Sequence, residues 1–232
     1  MSDNQGTTFP GGSKAGGILF AAFREGRTEE IQWTEVTMDG LVVTVASDAM
    51  KARLNDKTGV RLPVSYEEAV TICAELGCIS PTQKICDAMF LQAKAQLTAV
   101  PLVLTAADAA HITMVDFVLR FHDRVEAQIN SLSCSPGDLV FGAWKLWLLH
   151  PRLVERGAVN YGFWDKSKKP AKVIQTPGGQ HDAQHYDYSQ VLVPVRRMAR
   201  KADSGEEVDL LDHIGTHDKV PPRFLDPYRA AR

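Results

Sequence analysis

Three helical patterns follow one another in the middle of the chain. The first follows a capping box, in which Ser65 is the N-cap and Glu68 is the third helical residue. The second begins with Ser80 as N-cap and Pro81 at the first helical position. The third covers about 106–131, where apolar residues recur at helical spacing. The pattern therefore predicts three consecutive helices.

Shorter apolar runs on both sides of these helices predict β-strands. Ahead of the helices, Asp39-Gly40 is a turn signal before the run LVVTVA, so we expect a β-hairpin over about 31–47. After the helices, turn residues separate four strand-like runs, at 139–149, 158–164, 172–175 and 188–195. Helices followed by strands, rather than alternating with them, favour an α+β fold with a mainly antiparallel sheet.

The two ends of the chain have a different composition from the middle. Residues 1–17 are polar and glycine-rich, which predicts a flexible N-terminal arm. Residues 18–199 are expected to form a single α+β domain, and residues 200–232, polar and proline-rich, a loosely attached tail. Because such segments fold poorly alone, we expect them to become ordered on binding a protein partner.

Composition narrows the classes of protein that the chain can represent. Of 232 residues, 44% are apolar and 23% are charged, values typical of a globular protein with a sizeable core. A net charge of −2 gives no reason to expect nucleic acid as a partner. The sequence shows neither a signal peptide nor an apolar run long enough to span a bilayer, so we expect no membrane association and a cytoplasmic location. The four cysteines form no CxxC pair, so a zinc knuckle is not expected.

The stretch richest in polar and ionisable side chains is QTPGGQHDAQHYDYSQ, at 175–190. It allows three interpretations. His181 and His185 are four apart and would share a helix face suited to a metal, but the glycine pair argues against a helix. We therefore expect no metal and no other cofactor. Alternatively, Ser189 is a nucleophile with a histidine as base and Asp187 as its orienter, although no GxSxG elbow is present. In the third interpretation the polar side chains bind a ligand or hydrogen-bond among themselves.

The neighbouring strands supply candidate substrate-binding residues. Lys145 shares a strand face with Trp147, and Tyr161 lies in the next strand run. A lysine beside aromatic rings can line a pocket for an anionic or sugar-like ligand, with Tyr188 as a further candidate. The alternative is that the aromatic rings form the core of the sheet while Lys145 extends its amine to solvent.

Other polar groups give weaker signals. His111 and His122 share a helix face, His213 and His217 are four apart in the tail, and Cys134 lies in a turn-rich run. The non-functional interpretations of these groups are, in the same order, the polar edge of a helix, a solvated tail and an ordinary thiol. The basic residues near Arg196 have no interleaved aromatics and give poor evidence for nucleic-acid binding.

Over about residues 65–195 the sequence resembles a group of uncharacterised bacterial proteins. In that group a helix beginning Leu-Pro-Thr is followed by strands reading roughly GHKKD and YGWH, a loop histidine, and a strand reading DYSH. The matching pieces here are Ser80-Pro81-Thr82, Gly142-Ala143-Trp144-Lys145, Tyr161-Gly162-Phe163-Trp164, His181 and Asp187-Tyr188-Ser189-Gln190. Ala143, Trp164 and Gln190 stand where that pattern carries histidine. The resemblance implies a hydrolase-like origin with altered or lost chemistry.

Two functions are carried forward from the sequence. The first is a hydrolase, acting on a peptide or a cell-wall-type polymer, with His181, Asp187 and Ser189 as catalytic residues. His181 would be a general base or a ligand, and Asp187 its orienter or a second acid or base. Ser189 would be a hydrogen-bond donor or a nucleophile, while Lys145 and Tyr161 hold the substrate or stabilise charge. The second is a non-catalytic structural or interaction protein, a component of a larger assembly.

Overall fold

The computed structural model describes residues 13–102, 112–178 and 181–230. The α-helices in these ranges are α1 (Ile18–Arg24), α2 (Tyr66–Glu75), α3 (Gln83–Gln92), α4 (Val115–Asn130), α5 (Leu153–Arg156), α6 (Leu210–His213) and α7 (Pro222–Ala230). A π-helical turn, Ile214–Asp218, follows α6. The strands are β1 (Trp33–Met38), β2 (Leu41–Ala46), β3 (Lys51–Leu54), β4 (Lys57–Arg61), β5 (Cys78–Ile79), β6 (Ala95–Gln96), β7 (Val140–Phe141), β8 (Lys145–Trp147), β9 (Asn160–Asp165), β10 (Lys172–Gly178), β11 (Val195–Arg196), β12 (Met198–Lys201) and β13 (Glu207–Asp209).

The capping signals place the middle helices as the sequence predicts, with one shift. At the start of α2, the Ser65 hydroxyl accepts a hydrogen bond from Glu68 N, and the Glu68 carboxylate accepts one from Ser65 N, both at 3.2 Å. This confirms the predicted capping box. At the start of α3 the cap is Thr82, two residues beyond the predicted Ser80, and its hydroxyl accepts from Ile85 N at 3.4 Å.

The three middle helices are not consecutive, which corrects the predicted arrangement. The short strand β5 separates α2 from α3 because Cys78 and Ile79 pair with β11. The short strand β6 follows α3 because Ala95 and Gln96 pair in parallel with β7. α4 begins at Val115, and the start expected near residue 106 lies outside the described residues. Pairing with distant strands therefore interrupts the helical run, which local spacing could not indicate.

The main sheet is antiparallel and has six strands, in agreement with the predicted mixed fold and antiparallel sheet. Its order is β13-β12-β2-β11-β5, with β1 also paired to β2. The predicted hairpin is confirmed: β1 and β2 pair antiparallel, with Met38 opposite Leu41 on the two sides of the Asp39-Gly40 turn. Apolar side chains of β2, among them Val43 and Val45, are fully buried in the core.

A second, three-stranded sheet with the order β10-β9-β8 carries Lys145. Lys145 lies opposite Gly162 of β9, where a β-carbon would stand 2.2 Å from the carbonyl oxygen of Trp144. The φ angle of Gly162 is 146°, a conformation that L-residues rarely adopt. Glycine at this position therefore allows β8 and β9 to pair closely at Lys145.

Two predicted strand runs are shorter in the structure. The run 139–149 divides into β7 and β8 at Gly142, whose φ angle is 127° and whose β-carbon would clash with Leu97 O. Only the end of the run 188–195 forms a strand, β11. At its start the Asp187 carboxylate accepts a hydrogen bond from Ser189 N at 2.8 Å, so this N–H is not available to a strand partner. A side chain that bonds the backbone two residues ahead favours a turn over a ladder.

Residues 200–230 are packed against the domain, which corrects the prediction of a loosely attached tail. They supply the end of β12, the edge strand β13 and helix α7, which lies against α2. Leu225 and Tyr228 of α7 are both 1% exposed, and the Tyr228 hydroxyl donates a hydrogen bond to Ser80 Oγ at 2.9 Å. Two buried side chains three apart anchor this helix despite its polar and proline-rich composition.

The predicted N-terminal arm, 1–17, is described only from Ser13 onwards. Lys14 forms a bridge with Met114, and Ala15 is fully buried, with its N–H donating to Thr113 O at 2.7 Å. The part from 1 to 12 lies outside the described residues. Within the described ranges, no helix combines the length and the apolar character needed to cross a bilayer.

Candidate functional site

The loop that carries the predicted catalytic residues is held alongside β8 by backbone hydrogen bonds. Lys145 N donates to Ser189 O at 2.9 Å, and Val191 N donates to Lys145 O at 3.1 Å. These bonds form a parallel bridge between Lys145 and Gln190. Strand-like pairing therefore brings Lys145 together with Asp187 and Ser189, which lie more than forty positions later in the sequence.

Asp187 is the centre of the candidate site. Its Oδ2 atom contacts the ammonium of Lys145, and its Oδ1 atom accepts from the Ser189 hydroxyl at 2.6 Å and from Ser189 N at 2.8 Å. Asp187 is 4% exposed and Ser189 is 1% exposed. The Ser189 hydroxyl is therefore a buried donor to Asp187, and this geometry does not fit the nucleophile role predicted as one alternative.

The two histidines of the loop lie face to face beside this carboxylate. The His181 and His185 rings stack with centroids 3.7 Å apart and an interplanar angle of 7°. His185 Nε2 is 3.8 Å from Asp187 Oδ2, an ion-pair distance but too long for a hydrogen bond. That nitrogen is buried and has no hydrogen-bond partner. Both rings remain partly exposed, so the cluster reaches the surface through its imidazoles.

The electrostatics of the cluster favour an ionised carboxylate beside a neutral imidazole. Burial alone would raise the pKa of Asp187, but its interactions with His185, Lys145 and Ser189 outweigh burial and hold that pKa well below its ordinary value. Burial lowers the pKa of His181, and the neighbouring His185 and Lys145 lower it further, against the opposing effect of Asp187. Near neutral pH, His181 therefore presents a lone pair rather than a second proton.

Among the described residues, one group of three histidine, cysteine or acidic side chains is arranged so that it could hold a metal ion. It consists of His181, His185 and Asp187, whose ligand atoms lie within 4.8 Å of one another. In the sequence, two histidines four apart share a metal-binding face only on a helix. The structure brings the two rings together in a loop, so a helix is not required.

The predicted substrate-binding tyrosines have other partners. The Tyr161 hydroxyl donates to Asp87 Oδ1 at 2.5 Å, and Tyr161 is 3% exposed. The Tyr188 hydroxyl accepts from Leu102 N at 3.1 Å, and its ring packs edge-on against Phe121. Both rings therefore belong to the core, and neither is joined to Asp187 by a side-chain contact that the structure records.

Lys145 does not extend its amine to solvent as the alternative interpretation held. It is 9% exposed, and its ammonium lies 5.4 Å from the centroid of the Phe163 ring. Phe163 has a φ angle of 57°, an uncommon conformation for an aromatic residue. Backbone outliers of this kind tend to cluster at functional sites, and this one lies directly against the Lys145–Asp187 pair.

The three residues singled out from the sequence pattern as replacing histidine are buried. Ala143 and Gln190 are 0% exposed, and Trp164 is 2% exposed. The Trp164 ring stacks on Phe90 with centroids 5.3 Å apart. Gln190 accepts a hydrogen bond from Asn160 at 3.5 Å, while its own amide nitrogen has no partner. These side chains fill the core rather than extend the polar cluster.

The structure adds a carboxylate that the sequence argument did not select. Asp87 on α3 accepts from Tyr161, and burial raises the pKa of Asp87 despite this bond. Burial and the adjacent Asp87 also raise the pKa of Tyr161. An aspartate on the second turn of a capped helix is an ordinary surface pattern, so spacing alone carried no signal for this pair.

A separate cleft of about 510 Å³ lies away from the histidine cluster, and none of its lining residues belongs to that cluster. Arg61, which is fully buried, lines it and binds Asp48 through two nitrogens, at 2.7 and 2.5 Å, and Glu126 at 2.5 Å. His122 lies 3.4 Å from Arg61, and burial together with the Arg61 charge lowers the pKa of His122 to about 4. His122 is thus a neutral partner inside an ion network.

The remaining weak candidates form no comparable group in the described part of the chain. The His213 and His217 rings lie 4.3 Å apart at 33°, with His213 at the end of α6 and His217 on the π-helical turn rather than in a solvated tail. Cys134 is partly exposed and its thiol contacts Leu132 O. His111 lies outside the described residues.

No protein-family model matches the chain, and neither a curated protein nor a solved structure matches it. The chemistry of the cluster must therefore be derived from its own contacts, burial and charge. These identify an ionised, buried carboxylate with two imidazoles at the surface beside it.

Proposed function

We propose that the protein is a hydrolase that cleaves a peptide or a cell-wall-type polymer at the His181–His185–Asp187 cluster. One observation carries the proposal: two stacked imidazoles lie beside a buried carboxylate that Lys145 and Ser189 fix in place. Hydrolysis needs a group that takes a proton from water at neutral pH and a negative charge that stabilises the proton once it is bound. The cluster offers both.

The roles of the cluster residues follow from their contacts. His181, with a lowered pKa, is the base or ligand that activates water, and Asp187 orients the neighbouring imidazole. Ser189 is a donor that fixes the Asp187 carboxylate. The oxygen of the water adds to the acyl carbon, one of its protons stays at the cluster, and that proton passes to the leaving nitrogen as the C–N bond breaks.

Compared with the resembling bacterial group, this site uses fewer histidines. Ala143, Trp164 and Gln190 have been absorbed into the core, so the proposed chemistry depends on the loop histidines and on Asp187. Replacing either loop histidine therefore tests the proposal directly, because no other imidazole of the described residues joins the cluster.

The proposal is tested by incubating the full-length protein with purified bacterial cell walls and with a mixed peptide library, and identifying new termini by mass spectrometry. Replacing a general base typically lowers the rate about 10²- to 10⁴-fold, so His181→Ala and His185→Ala should each lose activity on that scale. His217→Ala is the matched control, because it removes an exposed imidazole of the other pair of neighbouring histidines. Full activity in His181→Ala would remove the proposal.

A second function, that of a non-catalytic structural or interaction protein in a larger assembly, is supported by the burial of the partners of the same carboxylate. The hydrogen bonds of the Asp187 carboxylate are made to Lys145 and Ser189, both buried, as expected for a polar network that only stabilises the fold. In that case neither substrate class yields new termini, whereas Asp187→Asn still lowers the free energy of unfolding.

A further inference from the structure

We infer that His181, His185 and Asp187 bind one divalent transition-metal ion of the zinc type. The inference rests on the proposed function only in that it concerns the same three side chains, since metal binding can be measured without a substrate. Two imidazoles and one carboxylate are a ligand set that zinc uses in catalytic sites, where a further position stays open to water.

The geometry of the cluster is close to that of a ligated site. The three ligand atoms lie within 4.8 Å of one another, and His185 Nε2 stands 3.8 Å from Asp187 Oδ2. Two ligands bound at about 2.0–2.2 Å from one ion are at most about 4.4 Å apart. His181 and His185 are partly exposed, and binding of one ion requires their rings to rotate into this range.

An unpaired nitrogen marks where the ion would lie. His185 Nε2 is buried, has no hydrogen-bond partner and faces the carboxylate. Buried polar atoms in native proteins nearly always have a partner, so an orphaned nitrogen beside an anion calls for one. A cation between His185 and Asp187 would satisfy both groups.

The stacked arrangement of the two rings fits neutral rather than protonated histidines. Because the lone pairs of parallel rings lie in parallel planes, the rings must turn out of this stack to bind one ion. At a centroid separation of 3.7 Å two imidazolium ions would repel, whereas two neutral rings present lone pairs without repulsion. Metal ligation requires the neutral form of histidine.

The carboxylate can serve a metal while it keeps its present partners. Asp187 Oδ1 is used by Ser189, and Oδ2 contacts Lys145, but a carboxylate has about four lone-pair positions. Ser189 and Lys145 then act as the outer partners that orient a ligating carboxylate. Lys145 also brings a positive charge to the same oxygen, and this charge weakens the binding of a cation. We therefore expect moderate rather than extreme affinity.

With a metal in place, the attacking water would be bound to the ion. Such an ion would supply Lewis-acid activation by lowering the pKa of a water to about 7, and solvent would then supply the proton for the leaving nitrogen. The two imidazoles are then ligands, which selects the second of the roles open to His181.

The test is a titration of the full-length, chelator-treated protein with Zn²⁺ in competition with a chromophoric indicator. We expect one equivalent to bind to the wild type, and His181→Ala/His185→Ala to bind that equivalent at least about 100-fold more weakly, since loss of an outer partner alone costs about 10- to 100-fold. His213→Ala/His217→Ala removes the other pair of neighbouring histidines and should retain full binding. Cys134→Ser, which removes the partly exposed thiol, should also retain it.

A second readout guards against misfolded variants. Zn²⁺ should raise the thermal midpoint of the wild type by mass action but not that of the singly substituted His181→Ala, whose replaced side chain is partly exposed. The inference is overturned if the wild type binds no equivalent, if the double variant at 181 and 185 binds as tightly as wild type, or if binding is lost in the 213 and 217 variant.

The two proposals fail in different ways. Zinc bound at this cluster with no hydrolysis of either substrate class would leave the metal site standing and remove the hydrolase. Hydrolysis that needs His181 but survives chelator treatment would keep the hydrolase and remove the metal.

Discussion

Lys145 and Asp187 form an ion pair inside the protein, between strand β8 and a loop 42 residues later. The lysine is 9% exposed and the aspartate 4% exposed. Two buried charges compensate one another only as long as both are present. The pair therefore fixes the loop that carries the histidines to the three-stranded sheet.

Removing one member of this pair should be more damaging than removing both. Lys145→Met leaves Asp187 buried without its cation, and breaking a buried pair typically costs about 3–5 kcal/mol. Lys145→Met/Asp187→Leu replaces both charges with apolar groups and should recover a large part of that loss. Urea unfolding measures the difference. If the double variant is less stable than Lys145→Met, the charges do not depend on each other.

His122 should make the protein less stable in mild acid. Its pKa is about 4 in the folded state, against about 6.5 in the unfolded chain, so the unfolded state takes up the proton first. Stability is then complete above about pH 6.5 and falls as the pH is lowered towards 4, by roughly 3 kcal/mol at most. Urea unfolding from pH 7 to pH 4 should show this slope in the wild type and a smaller slope in His122→Gln. Equal slopes would place His122 in an ordinary solvated environment.

Gly162 should not tolerate a side chain. In Gly162→Ala the new β-carbon would stand 2.2 Å from Trp144 O in a backbone conformation that L-residues rarely adopt. We expect a loss well above the roughly 1–3 kcal/mol of conformational strain alone. Gly137→Ala is the matched control, because its φ angle of 88° is also positive but a β-carbon there meets no atom within 4 Å. Similar losses for both variants would show that the close strand crossing contributes nothing.

Helix α7 should behave as part of the core. Tyr228 is 1% exposed, so Tyr228→Ala should cost about 3–5 kcal/mol, whereas Tyr228→Phe loses only the hydrogen bond to Ser80, about 0.5–1.5 kcal/mol. Thermal unfolding of the two variants checks this order. A thermal midpoint unchanged in Tyr228→Ala would restore the sequence prediction of a loosely attached tail.

Local signals in the sequence predicted the local parts of the fold. The Ser65–Glu68 capping box and the Asp39-Gly40 turn both depend on contacts within a few residues, and both are present in the structure. The interruptions β5 and β6 depend on pairing with strands far along the chain. Helical spacing carries no information about such partners.

The candidate site was predicted in its residues but not in its geometry. Loop composition pointed to His181, Asp187 and Ser189, and the structure brings Asp187 and Ser189 into contact with Lys145. The stacking of His181 on His185 requires a compact loop, which neither a helix nor a strand pattern describes. For the same reason the sequence argument gave His185 less weight than the structure does.

Ring NMR titration of the histidines tests most directly whether His181, His185 and Asp187 form one electrostatic unit. In the metal-free wild type, His181 should titrate below about pH 6.5. In Asp187→Asn its pKa should fall further, because the negative charge that raises it is gone and the Lys145 charge is no longer compensated. His150, whose lowered pKa arises from burial and Arg152, should not change. An ordinary pKa for His181 that Asp187→Asn leaves unaltered would contradict a coupled site at this loop.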